Sequence, residues 1–188
     1  MKTILITGIG GLTPRSIAKV VKKNHPDYRL IGCDIEKKAV GFFMAGLLDE
    51  YYICPRCTSP DYFLWVEELV KTEHIDYAFV QPEAEIVEWG AYYEKHKKFP
   101  CPVFMGNKFF SESLRNKSIM AELLEGTDYI PKTIKVTQDN PRYDDVKDLI
   151  GFPCWIRATD GSGGASGATD GNGNPDWVPT ASAGTFLT

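Results

Sequence analysis

The sequence predicts an α/β fold, in which a Rossmann-like doubly wound parallel sheet is followed by a small, incomplete α+β lid subdomain. Three observations lead to this prediction. Short apolar runs rich in β-branched residues alternate with segments of helical periodicity through the first half of the chain. The first apolar run ends in a glycine-rich turn, GIGG. Beyond residue 107 the alternation gives way to a helix, a short second helix and shorter apolar runs. Because crossovers between parallel strands are right-handed, a doubly wound sheet is the leading topology.

The first β-α-β unit is predicted between residues 3 and 35. The run TILIT at 3–7 is almost entirely apolar, as expected of a strand that is buried on both faces. Thr13 is suited to cap the helix that follows, and Pro14 is suited to its first turn. The run RLIGCDI at 29–35 then predicts the second strand.

Three more strands complete the predicted sheet, at 50–54, 75–82 and 101–106. The helix that follows the first of these begins at Ser59 or Asp61, because either side chain can serve as its N-cap. The strands and helices then alternate as they do in sheets covered by helices on both faces.

The lid subdomain is predicted to begin with a helix that is capped by Ser111 or Ser113 and ended by Gly126. A strand at 132–136, a short helix and a strand at 153–159 follow. The last strand runs directly into a glycine-rich segment.

The composition limits which classes of partner the protein is expected to bind and where in the cell it is expected to be found. The net charge of −4 gives no electrostatic basis for binding nucleic acid. No apolar run reaches the roughly 18 to 20 residues of a membrane span, and the first residues lack the long apolar core of a secretion signal. Five cysteines are an odd number, which disfavours a secreted disulfide framework. We therefore expect a cytoplasmic protein that binds neither nucleic acid nor a membrane.

The turn GIGG, between the first strand and the first helix, is a candidate ligand site. Glycines at Gly8, Gly10 and Gly11 let the backbone turn tightly and approach a ligand, and a helix N-terminus favours an anion. The turn matches the dinucleotide fingerprint only in part, because Thr13 stands at the third glycine position. Asp34 lies where a ribose-binding carboxylate would. Two interpretations stay open: dinucleotide binding, or a turn that belongs to the fold.

Two further patterns have chemical as well as structural interpretations. Tyr93 and Lys97 have the Tyr-x-x-x-Lys spacing of short-chain dehydrogenases, but they come too early for that layout, and we interpret them as a solvated helix end. Cys54 and Cys57 form a C-x-x-C, which can be structural, half of a zinc site or a redox pair.

Glu83 and Glu85 directly follow the fourth strand. The carboxyl ends of parallel strands are where ligands bind in such sheets, so these acids can meet an amine or a metal. Acidic side chains also stabilise a helix N-terminus, which is the purely structural interpretation.

The most specific pattern lies in the second half of the chain. Lys117 is on the predicted helix, and Arg157 is on the strand that enters the run DGSGGASG. A lysine, an arginine and free glycine amides can together surround a triphosphate, because the cations neutralise its charge and the amides point inward. We therefore expect phosphate contacts from Lys117, from Arg157 and from the loop residues Ser162, Gly163, Gly164 and Gly167.

The order of these motifs resembles that of ATP-grasp ligases, particularly the group similar to the large subunit of carbamoyl-phosphate synthase. The resemblance covers about residues 1–167 and rests on GIGG, NKSIMAELLEG and GFPCWIRATDGSGGASG in that order. It implies that ATP is bound with Mg²⁺, that Lys117 and Arg157 contact its phosphates, and that the loop 162–167 closes over it. ATP would phosphorylate a small carboxylate, and an amine or ammonia would then displace the phosphate. Gly10, Gly11, Glu83 and Glu85 would lie on the substrate side.

The chain departs from this family beyond the glycine loop. The family's Mg²⁺ ligands and adenine-binding hinge come later than the loop, so the resemblance implies no metal ligand in this chain. We expect a truncated or split ligase that is inactive alone, with segments 1–107, 108–167 and an irregular tail at 168–188. The strands of the lid would leave an exposed edge, covered by the tail, by a homodimer partner or by a second polypeptide. The alternative is a non-catalytic Rossmann-like module for nucleotide binding or oligomerisation.

Overall fold

A computed structural model describes residues 2–105, 109, 113, 116–137, 142–151, 155–159 and 176–180. The chain divides into two compact units, Met1–Lys108 and Phe109–Thr188. Within the described residues no helix is both long enough and apolar enough to cross a membrane.

The described residues of the first unit form five strands and three α-helices. The strands are β1 (Thr3–Thr7), β2 (Arg29–Asp34), β3 (Glu50–Ile53), β4 (Tyr77–Phe79) and β5 (Val103–Phe104). The helices are α1 (Leu12–Asn24), α2 (Tyr62–Thr72) and α3 (Glu83–His96), and a 3₁₀ segment spans Val40–Phe43. All strand pairs are parallel, in the order β3-β2-β1-β4-β5. The predicted doubly wound, Rossmann-like parallel sheet is confirmed.

Alternation along β1 divides the core of this unit into two layers. Leu5 packs with α2 and α3 on one face of the sheet. Ile4 and Ile6 pack on the other face, with Ala18 of α1. Every residue of β1 is buried, so the nearly all-apolar run fits a central strand that is covered on both faces.

The helix starts differ from the sequence prediction at two places. α1 begins at Leu12 with Gly11 in the capping position, so the prediction that Thr13 is the cap is wrong. In the second unit α4 spans Lys117–Leu123, and its cap is Asn116. The predicted cap at Ser113 is wrong, because the Ser113 hydroxyl donates instead to the Phe109 carbonyl at 2.8 Å. Ser111 lies outside the described residues.

The second unit contains a small antiparallel sheet. Its strands are β6 (Val136–Thr137), β7 (Trp155–Ala158) and β8 (Asp176–Thr180), in the order β6-β8-β7. A short helix, α5 (Tyr143–Asp145), continues as a π-helical turn at Val146–Ile150. The predicted strand–helix–strand order of the lid subdomain is therefore present.

The central strand β8 lies within the segment 168–188, which was expected to be an irregular tail. Residues 176–180 of this segment pair with β6 on one side and β7 on the other, and the tail was one of the covers expected for the lid edge. Pro179 argues against a central strand, because proline lacks the N–H that a sheet interior uses. β6 pairs only with Asp176 and Trp177, however, so Pro179 needs a partner on the β7 side alone. The tail thus pairs with both lid strands.

Candidate functional site

The predicted site residues fall in two places. Gly10, Gly11, Glu83 and Glu85 lie at the carboxyl edge of the parallel sheet in the first unit. Lys117 begins α4, and Arg157 is in β7, where its backbone is paired with Val178. Ser162, Gly163, Gly164 and Gly167 lie outside the described residues.

The glycine turn after β1 is held by the chain itself. Gly8 has φ +64°, and a Cβ there would lie 2.6 Å from Cγ of Pro82, so this position requires glycine. The Ile9 amide donates to the Cys33 carbonyl at 3.1 Å, and the Gly11 amide donates to the Gly8 carbonyl at 2.9 Å. Two of the amides that would face a ligand are thus already paired with carbonyls.

The side chain of Asp34 accepts a hydrogen bond from the third amide of this turn, that of Gly10. Its Oδ2 accepts from the Gly10 amide at 2.8 Å, and its Oδ1 accepts from the Glu36 amide at 2.9 Å. A dinucleotide phosphate would have to displace this carboxylate, which repels anions. The geometry therefore favours the interpretation of GIGG as a turn that belongs to the fold, with Asp34 as its support.

The two acidic residues of α3 have different environments. Glu83, the first residue of the helix, is exposed, whereas Glu85 is only 5% exposed. The Oε2 atom of Glu85 has no hydrogen-bond partner among the described residues. Burial raises the pKa of Glu85, the Thr7 and Tyr62 hydroxyls partly offset this, and the charge of Asp34 raises it further. Glu83 is therefore the carboxylate that a ligand at this edge can reach.

Replacing Glu85 by Gln tests this burial. Because the pKa of Glu85 is higher in the folded than in the unfolded protein, its stabilising contribution is complete below the unfolded pKa. That contribution is lost as the pH rises through the folded pKa. Relative to the wild type, the free energy of unfolding of Glu85→Gln, measured in urea titrations, should therefore increase as the pH is raised above the pKa of an unfolded glutamate. Glu83→Gln, in the same helical turn, is the matched control; a Glu85→Gln difference that does not vary with pH would contradict the assignment.

Tyr93 and Lys97 lie at the far end of α3. The helix has 14 residues, which at 1.5 Å per residue corresponds to about 21 Å. Its N-terminus is at the carboxyl edge of the sheet, so the pair is remote from the glycine turn. Tyr93 stacks on Phe99 with ring centroids 4.8 Å apart. The Tyr-x-x-x-Lys spacing therefore has no catalytic geometry in this fold.

The second unit brings together two segments that are distant in sequence. The backbone amide of Lys117 donates to the carbonyl of Thr159 at 2.7 Å. Thr159 directly follows β7, at the start of the glycine-rich run, and is only 4% exposed. The start of α4 therefore contacts the end of the strand that carries Arg157, which is the juxtaposition that a phosphate site needs.

Asn116 fixes the position at which α4 begins. Its side-chain oxygen accepts from the amides of Ser118 and Ile119 at 3.0 and 3.2 Å. The sequence prediction missed this residue, although asparagine is a strong N-cap and the signal NKSI was present. These amides are occupied, so a phosphate here would depend on the Lys117 side chain and on the loop after β7 rather than on the helix terminus.

A cavity of about 830 Å³ opens in the second unit, between α4, the segment 124–135 and the turn at Val146–Ile150. This volume is within the range of small-molecule sites. Its charges are mixed, since Lys132 and Glu125 both line it and Arg142 is paired with Asp145 at 2.7 Å. The lining therefore does not specify one class of ligand.

Neither a family model nor a curated protein matches the sequence. Solved structures do match. Glycinamide-RNase-transformylase T from Mycobacterium tuberculosis aligns with a TM-score of 0.57 at 11% identity, over 97% of this chain and 48% of its own. D-alanine–D-alanine ligase from Bacillus anthracis aligns with a TM-score of 0.50 at 14% identity, over 98% of this chain and 57% of its own. The third structure is the biotin carboxylase domain of 2-oxoglutarate carboxylase from Hydrogenobacter thermophilus, solved as a dimer with MgADP, ADP and bicarbonate. It aligns with a TM-score of 0.51 at 15% identity, over 86% of this chain and 36% of its own.

The chain shares the fold of these three structures, which are ATP-grasp-type ligases. At these identities the likeness concerns the fold alone. The chain spans 36 to 57% of the length of these three structures.

Proposed function

We propose that the chain is part of an ATP-dependent carboxylate–amine ligase of the group similar to the large subunit of carbamoyl-phosphate synthase. The observation that carries the proposal is the 2.7 Å hydrogen bond from the Lys117 amide to the Thr159 carbonyl. It supports a phosphate site because it joins the lysine helix to the strand that carries Arg157 and to the start of the glycine run. An ATP-grasp-type fold supports the same assignment.

In this proposal the second unit binds the triphosphate of ATP. Lys117 and Arg157 neutralise phosphate charge, and the amides of the loop 162–167 donate to phosphate oxygens. ATP supplies the phosphoryl group that activates a carboxylate for attack by an amine. Among the described residues no group of three His, Cys, Asp or Glu side chains is arranged to hold a metal ion. We therefore derive no step that depends on Mg²⁺ held by this part of the chain.

The first unit supplies the substrate side. Glu83 is exposed at the carboxyl edge of the sheet, next to the turn that contains Gly10 and Gly11, so its carboxylate suits an amine. Glu85, two residues later in α3, is buried and is not placed in contact with the ligand. The occupied turn amides argue against an anionic ligand at this place.

We also propose that this chain does not catalyse the ligase reaction by itself. The Mg²⁺ ligands and adenine-binding hinge of the family follow the glycine loop, and the chain spans at most 57% of the three matched structures. A second polypeptide or a homodimer partner completes the fold in the cytoplasm. Light scattering on the purified chain distinguishes these two arrangements, because a homodimer has twice the mass of the chain and a chain that needs a second polypeptide stays a monomer.

Calorimetry of Mg-ATP and NAD tests the assignment of the nucleotide. We expect Mg-ATP to bind, and Lys117→Ala and Arg157→Ala each to weaken binding by about 10-fold or more, because a charged hydrogen bond contributes about 1.5–3 kcal/mol. Lys147→Ala, which removes an exposed lysine from the same unit, is the matched control and should bind as the wild type does. Circular dichroism checks that each variant is folded.

Two results would contradict the proposal. Binding of NAD that is lost in Asp34→Ala would assign the nucleotide to the first unit and to the dinucleotide interpretation. Binding of neither nucleotide would favour the alternative, a Rossmann-like module without catalysis.

A further inference from the structure

The strand β3 forms one edge of the parallel sheet. β2 lies on one side of it, and no described strand lies on the other. An unpaired edge presents a row of N–H and C=O groups that a further strand can bind. Proteins commonly protect such an edge with lysine or proline, and neither residue type occurs in Glu50–Ile53. The outer side of β3 is therefore open to the addition of a strand.

The backbone direction along β3 identifies the groups that are available. The Cys54 amide donates to the Asp34 carbonyl at 3.0 Å, so the backbone of Cys54 faces β2. Because this direction alternates along a strand, the odd-numbered residues Tyr51 and Ile53 face outward. The Tyr51 amide donates to the side chain of Glu50 at 3.2 Å, as expected of an outward group without a neighbouring strand. Tyr51 and Ile53 thus offer their backbone groups to a partner.

The side chains along this edge are apolar and exposed. Tyr51 and Ile53 point to the same face of the sheet and are 49% and 48% exposed. The Tyr51 ring stacks on Phe42 with centroids 4.5 Å apart, and the adjacent Phe43 is 72% exposed. An open strand edge that is bordered by exposed apolar side chains is a site where association is expected.

We propose that β3 pairs antiparallel with β3 of a second copy of this chain, across a two-fold axis. Tyr51 of each copy then lies opposite Ile53 of the partner subunit, and the two Tyr52 residues lie on the axis. Each of the two Tyr51–Ile53 pairs exchanges both of its N–H···O bonds. A two-fold contact uses the same surface of both copies, so this one edge supplies both halves of the interface. The interface lies in the first unit and does not depend on the proposed ligase activity.

The two neighbouring registers leave backbone groups without partners. A shift in one direction places Pro55 opposite Tyr51, and proline has no N–H to donate. A shift in the other direction places Asp49 opposite Ile53, but the Asp49 amide already donates to the Leu30 carbonyl at 2.9 Å. The register with Tyr51 opposite Ile53 is therefore favoured.

The charges beside β3 favour a second copy as the partner. Glu50 and Arg56 are both exposed. In the favoured register Glu50 lies opposite Cys54 of the partner subunit, and Arg56 of the partner subunit comes two residues later on the same face. Such diagonal neighbours are within reach of long side chains. The two-fold axis thus brings Glu50 and Arg56 of different copies together twice.

Light scattering over a range of concentrations tests the association. We expect the full chain to approach twice its own mass as its concentration rises. Ile53→Lys should weaken dimerisation by about 10-fold or more, because it replaces the apolar member of both cross-strand pairs. Phe104→Lys is the matched control, since it adds the same charge at an exposed position of β5, at the opposite edge of the sheet. It should dimerise as the wild type does, and circular dichroism checks that both variants are folded.

A charge exchange separates a contact between copies from an effect on the fold. Glu50→Arg and Arg56→Glu should each weaken the dimer, because each places like charges at the diagonal positions. The double variant restores opposite charges and should recover dimerisation. A double variant that is weaker than both single variants would contradict the contact.

Cysteine cross-linking tests the register. Opposing residues of a non-hydrogen-bonded antiparallel pair have Cα atoms about 4.5 Å apart, which is within disulfide reach. In a background that carries Cys57→Ser and Cys154→Ser, oxidation should therefore join two copies of Tyr52→Cys. Tyr51→Cys and Ile53→Cys, made separately in the same background, should stay uncross-linked, because like residues at these positions are not opposed in the favoured register.

Three results would overturn the proposal. They are a wild-type chain that stays monomeric at every concentration, a dimer that persists in Ile53→Lys, and cross-linking at position 51 or 53 in place of 52. A dimer that persists in Ile53→Lys is held at another surface, such as the lid edge, so this variant is the form in which light scattering reports on the lid. None of these outcomes depends on nucleotide binding, so failure here and failure of the ligase proposal are distinguishable.

Discussion

Replacing Gly41 by Ala is expected to destabilise the first unit by about 3 kcal/mol, since overpacking a filled core costs this order of free energy. Gly41 is buried in the 3₁₀ segment Val40–Phe43. A Cβ there would lie 2.5 Å from the carbonyl oxygen of Ile9 and 2.5 Å from its Cγ1. A flexible side chain can move aside, but Ile9 is part of the glycine turn and its amide is bonded to Cys33. The added methyl group must therefore displace backbone.

The matched control for this substitution is Gly46→Ala. Gly46 has φ +72°, and nothing lies within 4 Å of a Cβ at this position. The control therefore measures only the cost of a left-handed conformation, about 1–2 kcal/mol. Urea unfolding followed by circular dichroism, with hydrogen exchange of the β1 and β2 amides, locates the loss in this unit. Equal losses for both variants would show that close packing against the turn is not the cause.

Replacing Trp89 by Ala should cost about 4 kcal/mol, within the range for removing a fully buried aromatic side chain. Trp89 is 0% exposed, and its ring lies between Phe63 and Phe99 at centroid distances of 6.1 and 6.2 Å. Its Nε1 donates to the Tyr62 hydroxyl at 3.1 Å, which links α3 to α2. Urea unfolding of the variant measures the loss.

Trp89→Phe separates ring packing from the hydrogen bond. Phenylalanine keeps most of the apolar volume and leaves the Tyr62 hydroxyl without its donor, so we expect a cost of about 1–3 kcal/mol. If Trp89→Phe is as destabilising as Trp89→Ala, the hydrogen bond to Tyr62 rather than the ring volume dominates, and the packing argument is wrong.

The parallel sheet could be predicted because local pattern and burial agree. TILIT is apolar except for its two terminal threonines, and RLIGCDI has an apolar middle, as expected of β1 and β2, whose central residues are buried. The caps were harder to predict. Several residues near each helix start can accept an amide hydrogen bond, and backbone conformation decides among them, as with Asn116 rather than Ser113.

β8 could not be predicted from its own residues. Asp176–Thr180 contains a proline and follows glycine-rich sequence, so its local preference is not that of a central strand. It is a strand because β6 and β7 both present unpaired edges to it. Pairing between segments that are distant in sequence decides such an element, and a single sequence does not display that pairing.

The candidate site was predicted unevenly. Lys117 and Arg157 were predicted because cations and a glycine run have a recognisable order, and the contact at Thr159 joins their segments. Their contact with phosphate stays a prediction. Glu85 was expected to face a substrate, but residue type alone does not reveal that it is buried while Glu83 is exposed. The role of Asp34 in holding the glycine turn was likewise inaccessible, since the same residue at the same place can bind a ribose.

The carboxylate of Asp34 acts on its own chain as an anionic ligand would. It is tethered beside the Gly10 amide, so its effective concentration there is in the millimolar range or higher even before any loss of flexibility is counted. A free phosphate must compete with it and must also approach a negative charge. The Asp34 carboxylate thus occupies the turn, and it disfavours nucleotide binding at a place whose glycine amides would otherwise bind phosphate. Such built-in competition leaves this edge of the first unit to ligands of neutral or positive charge.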